Sequence, residues 1–195
     1  MFQGILLCVP KTSITWQFYR PKFHSVRRCT FFYDFERTQH TPYTDNAFLH
    51  VPNLVCVQQF CYKCESIDNV DTPCENCGIR KCSFWNNPVE QLIDNLCKPR
   101  NTINKIIAIA HNAKSFDSQF ILNHMIKLKW TPSNLLNDTK IICIRAQHIA
   151  FLDSLNFFYM PLRDFPKAFD LPAQKDFYPH FFKTMANLNY VGGLS

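Results

Sequence analysis

At 195 residues, with 47% hydrophobic side chains and 19 phenylalanines, the chain suits one domain with a small insertion and can bury a sizeable core. A net charge of +6 is compatible with a polyanionic partner, and only 4 glycines argue against low-complexity sequence or a glycine loop cradling phosphate. No run of 18 apolar residues occurs, which excludes a transmembrane helix, and 10 cysteines without a secretory-type start point to a reducing intracellular compartment and to metal binding.

Residues 1–28 read as a partly extended basic leader. Lys11, Arg20, Lys22, Arg27 and Arg28 precede every acidic residue, and Pro10 and Pro21 break regular structure. The leader is either an arm for DNA phosphates or a solubilising segment. From about 29 to 36 the aromatic run Thr30-Phe31-Phe32-Tyr33-Asp34-Phe35-Glu36 has strand propensity. Alternation puts Asp34 and Glu36 on one face and points Arg37 away from it. Val55 to Phe60 is a second strand, running into a cysteine-rich insertion over about 56–82.

Within that insertion, Cys61-x-x-Cys64 and Cys74-x-x-Cys77 stand nine residues apart, and Gly78 follows the second pair. Two such turns present four thiolates in the manner of a structural, tetrahedral Zn²⁺ knuckle. Cys56 and Cys82 flank it as spare ligands. Cys8, Cys29, Cys97 and Cys143 sit in apolar contexts and read as small core residues.

Val89, Leu92, Ile93 and Leu96 recur at helical spacing after Pro88. A buried strand at 105–110 gives way to His111-Asn112-Ala113-Lys114-Ser115-Phe116-Asp117, and Asp117 opens an amphipathic helix to about Leu128. Asp117 is either an N-cap or a ligand. Phe116 is either a stacking surface or a core residue, since its spacing to Phe120 fits both. Lys140–Arg145 and His148–Leu152 form a hairpin. Asp153 is read as capping the turn into Ser154-Leu155, and a short helix is expected around 165–170. Strands alternating with helices indicate an α/β domain with a mixed sheet.

Two pieces of this pattern, in this order, carry a resemblance. Asp-x-Glu (Asp34, Glu36) and Asn-x-x-x-Phe-Asp (Asn112, Phe116, Asp117), each after its own apolar strand, resemble the first two exonuclease motifs of family B DNA polymerases. The stretch Phe151 to Leu162, followed by Phe165-Pro166-Lys167-Ala168-Phe169, is similar to the Ser-Leu motif of the protein-primed branch found in viruses, linear plasmids and large mobile elements. His111 to Phe120 and the tail Asn189-Tyr190-Val191-Gly192 look like the same branch.

The resemblance implies a ribonuclease H-like exonuclease fold over 29–195 and a polymerase domain downstream, acting where such a replicon is copied. A third exonuclease motif, Tyr-x-x-x-Asp, would lie beyond Tyr190, so the domain reads as incomplete at its C-terminus. Asp34, Glu36 and Asp117 would hold Mg²⁺ or Mn²⁺ for two-metal hydrolysis of a phosphodiester. His111, Asn112, Phe116, Ser154 and Leu155 would hold the single-stranded primer terminus or a terminal priming protein. Arg37 departs from the family, which usually has a small or neutral residue there. Two other readings stand beside this one: a catalytically dead remnant that binds single strands, and a zinc-knuckle nucleic-acid-binding module.

Overall fold

The computed structural model describes residues 27–171 apart from 46, 65, 66, 68, 101, 138 and 139. The leader's first 26 residues and the tail with Asn189 to Gly192 lie outside them. A seven-stranded mixed sheet is built from β1 (Arg28–Thr44), β2 (Ala47–Cys61), β3 (Lys81–Trp85), β4 (Lys105–Ala110), β5 (Ser133–Asn137), β6 (Lys140–Ala146) and β7 (Ile149–Asp153). Their spatial order is β3-β2-β1-β4-β7-β6-β5. β1, β4 and β7 run parallel in the middle, and the other neighbours are antiparallel. Two helices matter for the core, α1 (Pro88–Cys97) and α2 (Asp117–Lys127); a short α3 (Phe165–Ala168) follows two 3-10 turns. No helix among the described residues is long and apolar enough to cross a membrane.

Local chemistry explains the elements. Phe31, Tyr33 and Phe35 alternate into the core from β1. Tyr33 meets Phe151 edge-on at 6.2 Å, and Phe35 meets Phe120 at 5.9 Å, contacts worth about 0.5–1.5 kcal/mol each beyond the area they bury. Pro88, with its preset φ, opens α1 after the left-handed pair Asn86 and Asn87. Leu92, Ile93 and Leu96 then fall on one buried stripe. Ile121 and Met125 do the same for α2. Burying each such side chain contributes about 1.5–3 kcal/mol.

Three features differ from the sequence expectation. β1 and β2 are far longer than their apolar stretches, because they join as one hairpin that continues past the hydrophobic pattern to Thr44 and Ala47. β3 and β5, five residues each at the sheet's two edges, carry too weak an alternation to be read. Cys56 and Cys82 are strand residues of β2 and β3, and Cys56 Sγ lies 3.5 Å from Ser83 Oγ, so neither belongs to the knuckle. The knuckle itself occupies only the β2–β3 connection.

Candidate functional site

In an open sheet with parallel strands, ligands collect at the strands' carboxyl ends. Here the register Phe32↔Ile109 and Ala110↔Asp153 brings the carboxyl ends of β4 and β7 to one rim beside the middle of β1, which runs on to Thr44. Asp34 and Glu36 lie there on β1, His111 to Asp117 leave β4, and Asp153 ends β7.

Asp117 reports how crowded that rim is. Burial pushes its carboxyl up, and Asp34, Asp153 and Glu36 push it further, against the opposing pull of Arg37, to about 8. Tyr33 beneath it is raised as well, first by burial and then by Asp117, Asp153 and Asp34. Glu36 is itself buried, and Asp34 is half-buried. Asp34, Asp153 and Glu36 thus act electrostatically on one buried carboxyl, that of Asp117, whereas among the described residues the group of side chains close enough together to hold a metal ion is the four cysteines of the knuckle.

Asp153 has a different task. It is 1% exposed. Its carboxylate accepts the backbone N–H of Asn112 at 2.9 Å, of Lys114 at 3.0 Å and of Leu155 at 2.9 Å. The cap expected for Ser154-Leu155 is present, and the same group also clamps the loop leading to Asp117. Asp153→Ala is expected to cost about 3 kcal/mol or more, because three N–H groups lose an acceptor at about 1–3 kcal/mol each. A drop in the urea midpoint checks it; an unchanged midpoint would refute the clamp.

Asn112 sits in the left-handed region at φ 63, which Asn tolerates, and its Oδ1 accepts from Ser115 Oγ at 3.0 Å. The Ser154 hydroxyl donates to Ala110 O at 3.2 Å, and His111 Nδ1 lies 3.0 Å from Ser154 Oγ. His111 and Ser154 are therefore brought together, with Leu155 half-buried beside them.

Phe116 is half-buried at the start of α2. The Arg37 guanidinium lies 3.8 Å from its ring centroid, and the His50 ring lies 4.3 Å away, tilted by 30°. Arg37 Nε donates to His50 Nδ1 at 2.7 Å. Partners that close to one another cannot bracket the ring from opposite faces, so both lie towards one side of it. Arg37 follows Phe35 in the alternation, as expected, yet that side is where α2 begins. No signal in the sequence pairs His50 with this site; the β1–β2 hairpin delivers it.

The four knuckle cysteines are all buried, and their Sγ atoms lie within 4.8 Å of one another. Cys61–Cys64 and Cys61–Cys74 separate by 3.7 Å and Cys64–Cys77 by 3.4 Å. A tetrahedron of sulfurs about 2.3 Å from a zinc ion has edges of about 3.8 Å. Asn76 Nδ2 donates to Cys61 Sγ at 3.2 Å, and the N–H groups of Cys61 and Asn76 approach Cys64 and Cys74 Sγ at 3.4 Å. Gly78, at φ 84, closes the second turn by exchanging two backbone bonds with Cys74.

Burial raises the thiols of Cys61 and Cys64. Contact with Cys29, then burial, raises Cys77. Cys74, which burial also pushes up, is brought down to about 7 by backbone N–H groups of Cys77 and Asn76. Cys29, paired with Cys61 across β1 and β2, is the neighbouring fifth cysteine that the sequence did not disclose.

The family described as DNA polymerase type B, organellar and viral, matches residues 98–194, about half the chain. No curated protein sequence matches. Among solved structures, Phi29 DNA polymerase complexed with primer-template DNA in a post-translocation binary complex is similar with a TM-score of 0.54 and 15% identity, covering 78% of this chain and 25% of that one. Phi29 DNA polymerase in a ternary complex with primer-template DNA and incoming nucleotide substrates gives a TM-score of 0.56 and 12% identity, over 87% of this chain and 27% of that one. The likeness to these structures establishes a shared fold, and the chain spans about a quarter of their length.

Proposed function

We propose that this chain, which belongs to the organellar and viral type B DNA polymerases, carries most of a 3′–5′ proofreading exonuclease domain of the protein-primed kind, working within a replicative DNA polymerase. The observation that carries the reading is the raised proton affinity of buried Asp117, to which Asp34 and Glu36 of β1 both contribute, beside the carboxyl ends of β4 and β7. Those three carboxylates would hold Mg²⁺ or Mn²⁺, and bound there the ions would supply an activated water and charge neutralisation at the leaving 3′ oxygen.

The chain's own residues do the rest. Asp153 fixes the loop that carries Asn112 and Asp117, so the donors are set before a strand arrives. Arg37 offers a cation beside the acidic rim, where a backbone phosphate would otherwise be repelled. The exposed part of Phe116 offers a terminal base something to stack on, and Asn112, Ser154 and Leu155 complete the wall of the cleft. A terminal priming protein is the alternative guest for that wall. The cysteine knuckle would hold one structural Zn²⁺ through Cys61, Cys64, Cys74 and Cys77, with no open position for catalysis.

Nucleotide release from a labelled single strand with Mn²⁺, measured on a protein that also carries the Tyr-x-x-x-Asp motif, tests the reading. There the wild type should exceed Asp34→Ala by about a hundredfold or more, a loss of the size expected when a group positioning the reacting centre is removed, whereas the 195-residue chain alone should release little or nothing. Strand binding with no release from either protein would favour a non-cutting remnant instead. Phe116→Ala should weaken single-strand binding about fivefold to a hundredfold, given about 1–3 kcal/mol per stacked base. Arg37→Ala should weaken it less at high salt than at low salt. Both are read by titrating the labelled strand, and unchanged binding in Phe116→Ala would remove that residue from the cleft.

A further inference from the structure

At the other end of the sheet, the starts of β1 and β4 and the end of β6 carry a row of cations. Arg28 pairs directly with Lys105 across β1 and β4. Ile106, the next residue, pairs with Ile149, and its N–H donates to His148 O at 2.9 Å, which sets His148 beside Lys105. The turn at Gln147 and His148, with Gln147 at φ 52, folds β6 back so that Arg145 faces Ala150. Asn104, held to Arg27 O at 3.0 Å, completes the group. Asn104, Lys105, Arg145, Gln147 and His148 line an open depression of about 370 Å³.

The side chains of Arg27, Arg28, Lys105, Arg145 and His148 are exposed. The ion pairs found among the described residues, Lys81 with Asp71 and Arg163 with Asp164, involve none of them. Like charges directly opposite on neighbouring strands destabilise a sheet. Here Arg28 and Lys105 stand in that relation, and an anion laid across them would relieve it.

We propose that this row binds the phosphate backbone of a nucleic-acid strand, at a surface separate from the acidic cleft. Its extent argues for a polymer rather than a single phosphate. The cations Arg28 on β1, Lys105 on β4 and Arg145 on β6 lie on three of four neighbouring strands, with β7 between the last two; at about 4.8 Å per strand they span a line of about 14 Å. The depression is open, and Asn104 and Gln147 add neutral donors beside the charges, as suits a surface that follows a backbone. The five steps of β4 from Lys105 to Ala110 separate the row from the rim of the cleft by about 17 Å.

Anisotropy of a labelled thymidine oligonucleotide, titrated with the whole 195-residue chain over a series of salt concentrations without added Mg²⁺ or Mn²⁺, tests this. The double variant Lys105→Gln/Arg145→Gln should bind about five- to twentyfold more weakly at low salt. Its slope of log Kd against log salt should fall by about 1.4, that is, about 0.7 for each lost contact on a single strand. An unchanged affinity would overturn the proposal, and so would a weaker affinity with the wild-type slope. Should the double variant lose its circular-dichroism signature, Arg28→Gln alone should lower the slope by about 0.7; no change there overturns the proposal equally. Nuclease activity plays no part in this readout, so the row and the cleft stand or fall separately.

Discussion

Asp117→Asn is expected to raise the thermal midpoint of the protein without added Mg²⁺ or Mn²⁺ and, in a protein that also carries the Tyr-x-x-x-Asp motif, to abolish hydrolysis of single-stranded DNA. The folded chain holds the Asp117 proton up to about pH 8, against an ordinary value of 3.8, because of burial and the neighbouring Asp34. A raised value means that the unfolded chain gives up this proton first. The stability it contributes is therefore complete below about pH 4 and is lost as pH rises through about 8. Asparagine, which never ionises, escapes that loss, so its advantage should grow from pH 4 to 8 and then level off. Poorly compensated burial of a polar group costs about 1–3 kcal/mol. At about 2–4 °C per kcal/mol for a chain of this size, the shift is several degrees. Added Mn²⁺ should reverse the order, raising the wild-type midpoint and leaving the variant where it was. Calorimetry at pH 5 and pH 8.5, with and without Mn²⁺, gives all four values; a wild type indifferent to Mn²⁺ would mean that the acidic rim holds no metal.

Stripping zinc should have the larger structural effect. Elemental analysis of protein purified under reducing conditions should find about one zinc per chain. Chelation, or Cys74→Ser, should then unfold most of the domain. Structural zinc sites bind with an apparent free energy of about 10–16 kcal/mol, comparable to the whole stability of about 5–15 kcal/mol that a domain has to spare. The cysteines are not on a detachable lobe: Cys61, Cys64, Cys74 and Cys77 belong to the same buried cluster as Phe31 and Leu96. Cys56→Ser should keep the metal, since Cys56 faces Ser83 instead. Zinc-free protein that melts like the untreated protein would refute the assignment.

Local pattern carried the central part of this molecule. β4, α1 and α2 announce themselves because burial follows one period in each, and the Cys-x-x-Cys pairs specify their own turn geometry. What stayed hidden depends on contacts between distant residues. Nothing near His50 in the chain hints that it stacks on Phe116, and Cys29 gains its neighbour only through the pairing of β1 with β2. Asp153 shows the limit of local reasoning most clearly. Its cap on Leu155 is written in adjacent residues, whereas its hold on Asn112 and Lys114 requires β7 to lie beside β4. The edge strands escaped because short strands need little hydrophobic alternation when a neighbour supplies the hydrogen bonds.

One boundary in β1 has a mechanical meaning. β4 accompanies β1 as far as Phe32, and β3 accompanies β2 from Gln58 to Leu54, the residue facing Glu36. Past that point no further strand among the described residues pairs with the hairpin, which carries exposed Tyr43, Phe48 and Leu49, and its register slips three times, between Glu36 and Arg37, Thr38 and Thr41, and Pro42 and Thr44. A two-stranded ribbon has little rigidity of its own. The first slip is the junction between braced sheet and ribbon. The acidic pair Asp34 and Glu36 sits on the braced side, and Arg37 with Gln39 and His50 on the free side. Arg37 and His50, packed on Phe116, tie the base of the ribbon to the start of α2, so a load on its tip is taken up beyond them, at the slips between Thr38 and Thr44, before it reaches the cation or the carboxylates.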